Sequence, residues 1–154
     1  MFDPLGITTA VWERDAAGTF VGSSYVYMSA RDLARVGLLM QYDGRWGEQQ
    51  LLPKAWVDFN RTPFANYQPQ ADKPGEAVPG GQWWLNAAVA GASRPWPDAP
   101  EDTLVASGHW GQGLYVIASE NLVIVRYADD RDGSFDRNHF LKLVLAALAD
   151  EVQP

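Results

Sequence analysis

Cysteine is absent from this sequence, which excludes disulfides, thiolate nucleophiles and cysteine-held metal sites. Lysine is nearly absent too: Lys54, Lys73 and Lys142 are the whole set. Basic residues number 12 against 19 acidic ones, giving a net charge of −7. Such a surface repels phosphate backbones, so no nucleic-acid partner is expected. No apolar run approaches the roughly 18 residues of a membrane span. The opening Met1-Phe2-Asp3-Pro4 has no charged-then-apolar signal pattern. There is no P-loop, no G-x-S-x-G elbow and no zinc motif, so no cofactor or metal is implied.

What is there reads as a globular chain of 154 residues, 47 % hydrophobic and 20 % charged. That length suits one domain, 1–154, on a prior of roughly 100–200 residues per domain. Residues 1–22 read as loop and turns around Pro4, Gly6, Gly18 and Gly22. Ser29 is a good N-cap, with Asp32 placed for a capping-box-like start. Leu33, Val36, Gly37 and Met40 then recur at helical spacing, while Arg31 and Arg35 lie off that face. Leu51-Leu52-Pro53 opens a shorter helix with Pro53 in its first turn. Residues 63–81 and 88–102 read as long loops rich in Pro, Gly and Ala.

Strands are expected at 82–86, 103–107, 112–118 and 122–128, with Ser119-Glu120-Asn121 as the turn between the last two. If 83 and 84 lie on a strand, one tryptophan faces the core and the other faces away. From about Asp136, the residues Phe140, Leu141, Val144, Leu145 and Leu148 form a helical stripe, widened by Leu143 and Ala147. This helix should lie flat on a sheet. The class is α+β, an antiparallel sheet with flanking helices.

The best chemical candidate is Ser107-Gly108-His109-Trp110-Gly111-Gln112-Gly113. Glycines allow a ligand close to the backbone, and a histidine beside exposed N–H groups suits a developing oxyanion. The run Gly108-His109-Trp110-Gly111-Gln112 resembles the third motif of class C β-lactamases and penicillin-binding-protein-like serine hydrolases. There, Lys-Thr-Gly or His-x-Gly sits on an edge strand beside the nucleophile. Phe2-Asp3-Pro4-Leu5-Gly6-Ile7 resembles that family's F-x-P-L-G-M segment. Ser29-Ala30-Arg31-Asp32-Leu33-Ala34-Arg35 resembles its S-x-x-D-L-A-R helix start, and Trp83-Trp84-Leu85 its G-x-G-W-W strand. The four stretches come in the family's order and cover nearly all of the chain.

The resemblance implies that His109 hydrogen-bonds substrate or assists a Tyr–Lys proton exchange. It implies that Gly111 lets substrate run beside the strand, and that the Gln112 backbone N–H is one oxyanion donor. Ser24, Tyr25, Trp110 and Gly113 would contact substrate. The family's nucleophile, a Ser in S-x-x-K assisted by a Tyr in Y-x-N, has no match. The residues three before Lys54, Lys73 and Lys142 are Leu51, Gln70 and His139. Ser119-Glu120-Asn121 fits an S-x-N variant formally, but it follows the His-x-Gly run and reads as a turn. The expectation is a partial domain, the C-terminal part of a hydrolase whose first two motifs lie upstream. Such a parent would hydrolyse esters, amides, β-lactams or peptides in a bacterium, with the compartment (periplasm, exterior or cytoplasm) left open. Alone, the chain should be inactive, and its uncovered sheet edge and apolar surface should favour self-association or pairing with the missing half.

Other features have blander readings. Asp32 reads as a helix cap, His139 as a surface or capping residue, and most strand tryptophans as packing. Asp129-Asp130-Arg131-Asp132-Gly133 fails the calcium-loop pattern. Asn60-Arg61-Thr62 is a formal glycosylation sequon. The alternative to a hydrolase fragment is a non-catalytic module that binds a ligand or partner through its tryptophans.

Overall fold

The N-terminal arm is more ordered than its glycines suggest. It contains a 3-10 turn, Asp3–Leu5, and a short strand, β1 (Val11–Trp12), paired antiparallel with β2 (Val26–Tyr27). Strand propensity in two-residue pieces is invisible to a periodicity argument, so residues 1–22 read as loop. A computed structural model describes residues 1–69, 77–90 and 92–151. α1 (Ala30–Gln41) follows, and β3 (Arg45–Trp46) and β4 (Gln49–Gln50) make a small hairpin that the sequence did not signal. In α2 (Lys54–Asn60), Pro53 is the N-cap residue rather than the first helical one.

The main sheet has five strands in sequential order: β5 (Val78–Pro79), β6 (Trp84–Leu85), β7 (Thr103–Ser107), β8 (Gly113–Ile117) and β9 (Leu122–Arg126). All neighbours are antiparallel. α3 (Arg137–Glu151) closes the chain. The α+β class follows, and the three C-terminal strands form where they were expected, with 112–118 and 122–128 shortened to Gly113–Ile117 and Leu122–Arg126.

Two layers of helix cover the two faces of this sheet. Leu104, Leu114 and Val116 pack toward Met40 of α1 and Val57 of α2. Val105, Tyr115 and Ile117, one residue out of phase, pack with Leu141 of α3. That alternation makes β8 buried along its whole length. Leu143 is 56 % exposed and does not widen the α3 stripe as its apolarity suggested. Trp83 is buried and Trp84 is exposed, although only Trp84 lies on a strand.

α1 approaches the sheet closely because Gly37 has no side chain. A Cβ there would lie 2.5 Å from Val123 Cγ1 and 2.9 Å from Leu114 Cδ1. Its N-terminus departs from a simple capping box. Ser29 Oγ accepts from the Asp32 N–H, but the Asp32 carboxylate does not return to Ser29. It accepts instead from the backbone N–H groups of Thr8 and Thr9 and from Thr9 Oγ1, the last at 2.6 Å. Thr9 Oγ1 in turn accepts from the Ser29 N–H at 2.8 Å. Arg35 bonds both Asp32 and the Gly6 carbonyl. One buried carboxylate thus fastens the arm to α1.

Both long loops prove partly structured. Within 63–81, Val78 is 2 % exposed on an edge strand, and residues 70–76 lie outside the described residues. Of the strand expected at 82–86, only Trp84–Leu85 is formed. Within 88–102, Trp96 and Ala99 are core residues. The buried Asn86 amide donates to the carbonyls of Trp96, Ala99 and Pro100 and accepts from the Trp96 N–H, so one side chain shapes the segment. Asn60 of the sequon is 1 % exposed and bonded to Trp56 and Gln82, which leaves no room for a glycan.

Two outcomes are expected. Gly37→Ala gains about 1 kcal/mol of helix propensity but overpacks the helix–sheet contact at about 1–3 kcal/mol, so chemical denaturation should show a net loss of stability. Hydrogen bonds from the Thr9 side chain, then from its backbone, hold the Asp32 carboxyl below the usual carboxylate range. A group depressed in the folded state stabilises above its unfolded pKa, about 3.9 for aspartate, and that contribution fades as pH falls through the folded value. Asp32→Asn should therefore melt lower than the parent at pH 7, and the gap should close by about pH 2; equal melting at pH 7 would contradict the anchor.

Candidate functional site

The sheet brings the His-x-Gly turn against the N-terminal arm. β7 ends at Ser107, β8 begins at Gly113, and the two residues are register partners. The five residues between them form a tight bulging turn. The Gly108 N–H donates to the Gln112 carbonyl at 2.9 Å, closing the turn at its base. Trp110 sits at φ 51°, ψ 50°, a left-handed conformation that costs a non-glycine residue about 1–2 kcal/mol. Gly111 follows at φ +79°, where its lack of a side chain is required: a Cβ would lie 2.4 Å from Asp130 Oδ2 and 2.7 Å from Arg126 Nη1.

Facing this turn, Ser23 to Tyr27 of the arm supply the opposite wall of a cavity of about 790 Å³. Ser107, Gly108, His109, Trp110 and Gln112 line the turn side. The sequence candidates Ser24, Tyr25, His109, Trp110 and Gln112 therefore meet in one place. Gly113 lines an adjoining cavity of about 220 Å³ that reaches Met28, Leu33 and Leu114. Gly111 lines neither wall; it packs outward against Arg126 and Asp130.

His109 is exposed and meets the Trp110 ring edge-on, with centroids 4.6 Å apart. Trp110 is 42 % exposed, and the Arg131 guanidinium lies 4.2 Å from its centroid. The Gln112 N–H, assigned by resemblance to a substrate oxygen, donates here to the His109 carbonyl at 3.2 Å. That bond is long, and a charged oxygen would compete well for the donor. Tyr25 holds a positive φ of 64°. Tyr27, not singled out in the sequence, lines the same cavity. Its phenol is raised above the usual range by desolvation and then by a hydrogen bond to Glu13, so it stays a neutral donor at ordinary pH.

Tyr127 extends the site toward β9. Its hydroxyl donates to the Met28 carbonyl at 2.8 Å, a second fastening of the arm, and desolvation raises its pKa. The signals for Tyr27 and Tyr127 were weak, an aromatic at a strand end in each case. Ser119, the formal S-x-N serine, lies elsewhere, with its hydroxyl and N–H both bonded to Asp102. Among the described residues, no group of three or more metal-ligating side chains occurs.

A model of the beta-lactamase family matches residues 1–148. The chain belongs to the beta-lactamase family. No curated protein matches it. Among solved structures it is similar to one titled "Putative 6-aminohexanoate-dimer hydrolase from Bacillus anthracis", at 20 % identity and a TM-score of 0.63. That likeness covers 94 % of this chain and 35 % of the other. A second, titled as a crystal structure of a putative beta-lactamase from Bacteroides dorei DSM 17855, is 13 % identical with a TM-score of 0.62, covering 98 % of this chain and 48 % of that one. At these identities the likeness concerns fold. The chain of this beta-lactamase-family protein spans between a third and a half of those structures.

The turn yields a contrast to measure. Gly111→Ala should cost about 2 kcal/mol or more, because an L-residue is disfavoured at this φ and its Cβ has no space. His109→Ala should change stability by less than about 1 kcal/mol, since the exposed ring loses one aromatic edge contact. Urea denaturation of both variants against the parent checks the pair.

Proposed function

We propose that this chain supplies the oxyanion-side wall of an acyl-transfer site in a β-lactamase-related serine hydrolase. The observation that carries the reading is the His109–Gln112 turn held in a strained, left-handed form at the lip of a cavity. Strain of that kind persists where the surrounding structure over-determines it, and it clusters at functional sites. Family membership over residues 1–148 supports the same assignment.

In this reading, a serine hydroxyl from polypeptide outside residues 1–154 attacks the carbonyl carbon of an ester, amide or β-lactam. The carbonyl oxygen becomes an oxyanion and takes the Gln112 N–H from the His109 carbonyl. The His109 ring donates to substrate or to the groups that move the serine proton. Ser24, Tyr25 and Trp110 bound the space for the acyl or leaving group. Collapse of the intermediate breaks the bond between the carbonyl carbon and the ester oxygen or amide nitrogen, and the leaving alcohol or amine takes up the proton lost by the serine. Water then adds to the acyl-serine, releasing the acid and regenerating the hydroxyl.

A second reading has one observation in its favour. Three of the ten residues lining the cavity (Tyr25, Tyr27 and Trp110) are large aromatics. Aromatic faces of that kind suit a module that binds a ligand without turning it over.

Reaction with a fluorophosphonate or fluorescent penicillin, read by intact mass beside a p-nitrophenyl ester assay, separates the two. Residues 1–154 alone should give no adduct, and a longer polypeptide carrying S-x-x-K and Y-x-N should give one per chain. In that longer protein His109→Ala should lower kcat/KM by about 10²-fold. A stoichiometric adduct on residues 1–154 themselves would overturn the proposal.

A further inference from the structure

The residues behind the turn carry as much information as those facing the cavity. Arg126, the last residue of β9, lies on the α3 side of the sheet. Its Nη1 donates to the Gly111 carbonyl at 2.7 Å and lies 2.6 Å from Asp130 Oδ2, close as an ion pair although not aligned there as a hydrogen bond. The guanidinium is stacked on Phe135 at 3.8 Å from the ring centroid, which fixes its plane. The Asp130 N–H donates to the Trp110 carbonyl at 3.0 Å. Two successive carbonyls of the turn are therefore held by one short segment, residues 126–130, at the end of β9.

A planar trans peptide points its N–H opposite to its C=O. The Gly111 carbonyl and the Gln112 N–H belong to one peptide unit. Holding the carbonyl toward Arg126 aims the N–H away from Arg126. Gln112 lines both cavities, and Gly111 lines neither. The absent Cβ of Gly111 completes the device, because any side chain there would collide with the Arg126–Asp130 pair.

We propose that Arg126, with Asp130 and Phe135, is a positioning residue that sets the direction of the Gln112 N–H, and hence the oxyanion donor, without touching substrate. This rests on the functional reading above for the word oxyanion, and on geometry alone for the positioning. It assigns a role to the acidic stretch 129–133, which fits no metal loop. It also explains why Trp110 keeps a left-handed backbone: its carbonyl and the next are both tied to 126–130, and Arg131 covers its ring.

The test uses the 154-residue chain in three forms: parent, Arg126→Met and Arg126→Lys. Methionine keeps the stem and removes the donor; lysine restores a cationic donor to a single acceptor. Backbone amide spectra and hydrogen exchange are the readouts. In Arg126→Met the Gln112 amide should shift and exchange about tenfold faster, with Trp110 and Gly111 moving alongside. Amides of Tyr115 to Ile117 should keep parent rates, and Arg126→Lys should recover part of the Gln112 change. An unaltered Gln112 signal in folded Arg126→Met would overturn the proposal. So would a uniform acceleration across β8 and β9 that lysine does not reverse. If Arg126→Met does not fold, Phe135→Leu, which releases only the stacked guanidinium, must show a smaller shift at Gln112 or the proposal fails. These readouts are conformational, so failure of the hydrolase reading would show separately, as absent acylation of the longer protein with the Gln112 response intact.

Discussion

The Asp32 carboxylate is the constraint on which the site most depends. It is 3 % exposed and takes three hydrogen bonds from Thr8 and Thr9 while pairing with Arg35, which also holds the Gly6 carbonyl. A buried charge with fewer partners would be costly, so the arm and α1 stay together or both rearrange. Because the arm also carries Ser24, Tyr25 and Tyr27, one wall of the cavity is positioned by a helix N-terminus that contributes no lining residue of its own to the larger cavity. The Tyr127–Met28 hydrogen bond secures the far end of the same arm.

The other wall is controlled from the opposite side of the sheet. The meander places Ser107, Gly113 and Arg126 in register across β7, β8 and β9, so Arg126 falls next to a turn fifteen residues earlier in sequence. Gly113 is required for a related reason: a Cβ there would meet the Tyr115 ring at 2.7 Å. The cavity thus lies on a seam between two walls, one tied to α1 and the other braced by residues on the α3 side, with the Tyr127–Met28 hydrogen bond joining them. Close packing of α1, made possible at Gly37, holds the α1 anchor tight against the sheet.

Several parts of this arrangement were legible before any coordinates. The β-branched runs at 112–118 and 122–128, with 103–107 before them, pointed to the three long strands, and Ser29 to the start of α1. The Gly-His-Trp-Gly-Gln run pointed to the turn, and Ser24 and Tyr25 to the opposing wall. Other parts were not legible for identifiable reasons. The β1–β2 and β3–β4 pairs are two residues per strand, too short for a period. Val78 and Trp96 are buried from within Pro- and Gly-rich segments because a neighbouring edge and the Asn86 side chain hold them, which composition does not report. Leu143 is apolar and exposed, since a helical stripe read from sequence is wider than the sheet it covers.

The sequence by itself determined the local rules: where β-branched runs form strands, where a helix is capped, and that residues 108–112 are a glycine-rich run around a histidine. It also determined that the nucleophile motifs of this family do not occur among the 154 residues. Tertiary structure alone decided which groups meet. Tyr25 faces Trp110 across 85 positions, and Arg126 reaches Gly111 across 15, because strand register and one buried carboxylate set those distances. Local propensity is encoded within a few residues of chain. The direction of a single N–H at the site depends on a peptide plane held by Arg126 from the next strand, and the few residues that set local propensity do not contain both ends of that interaction.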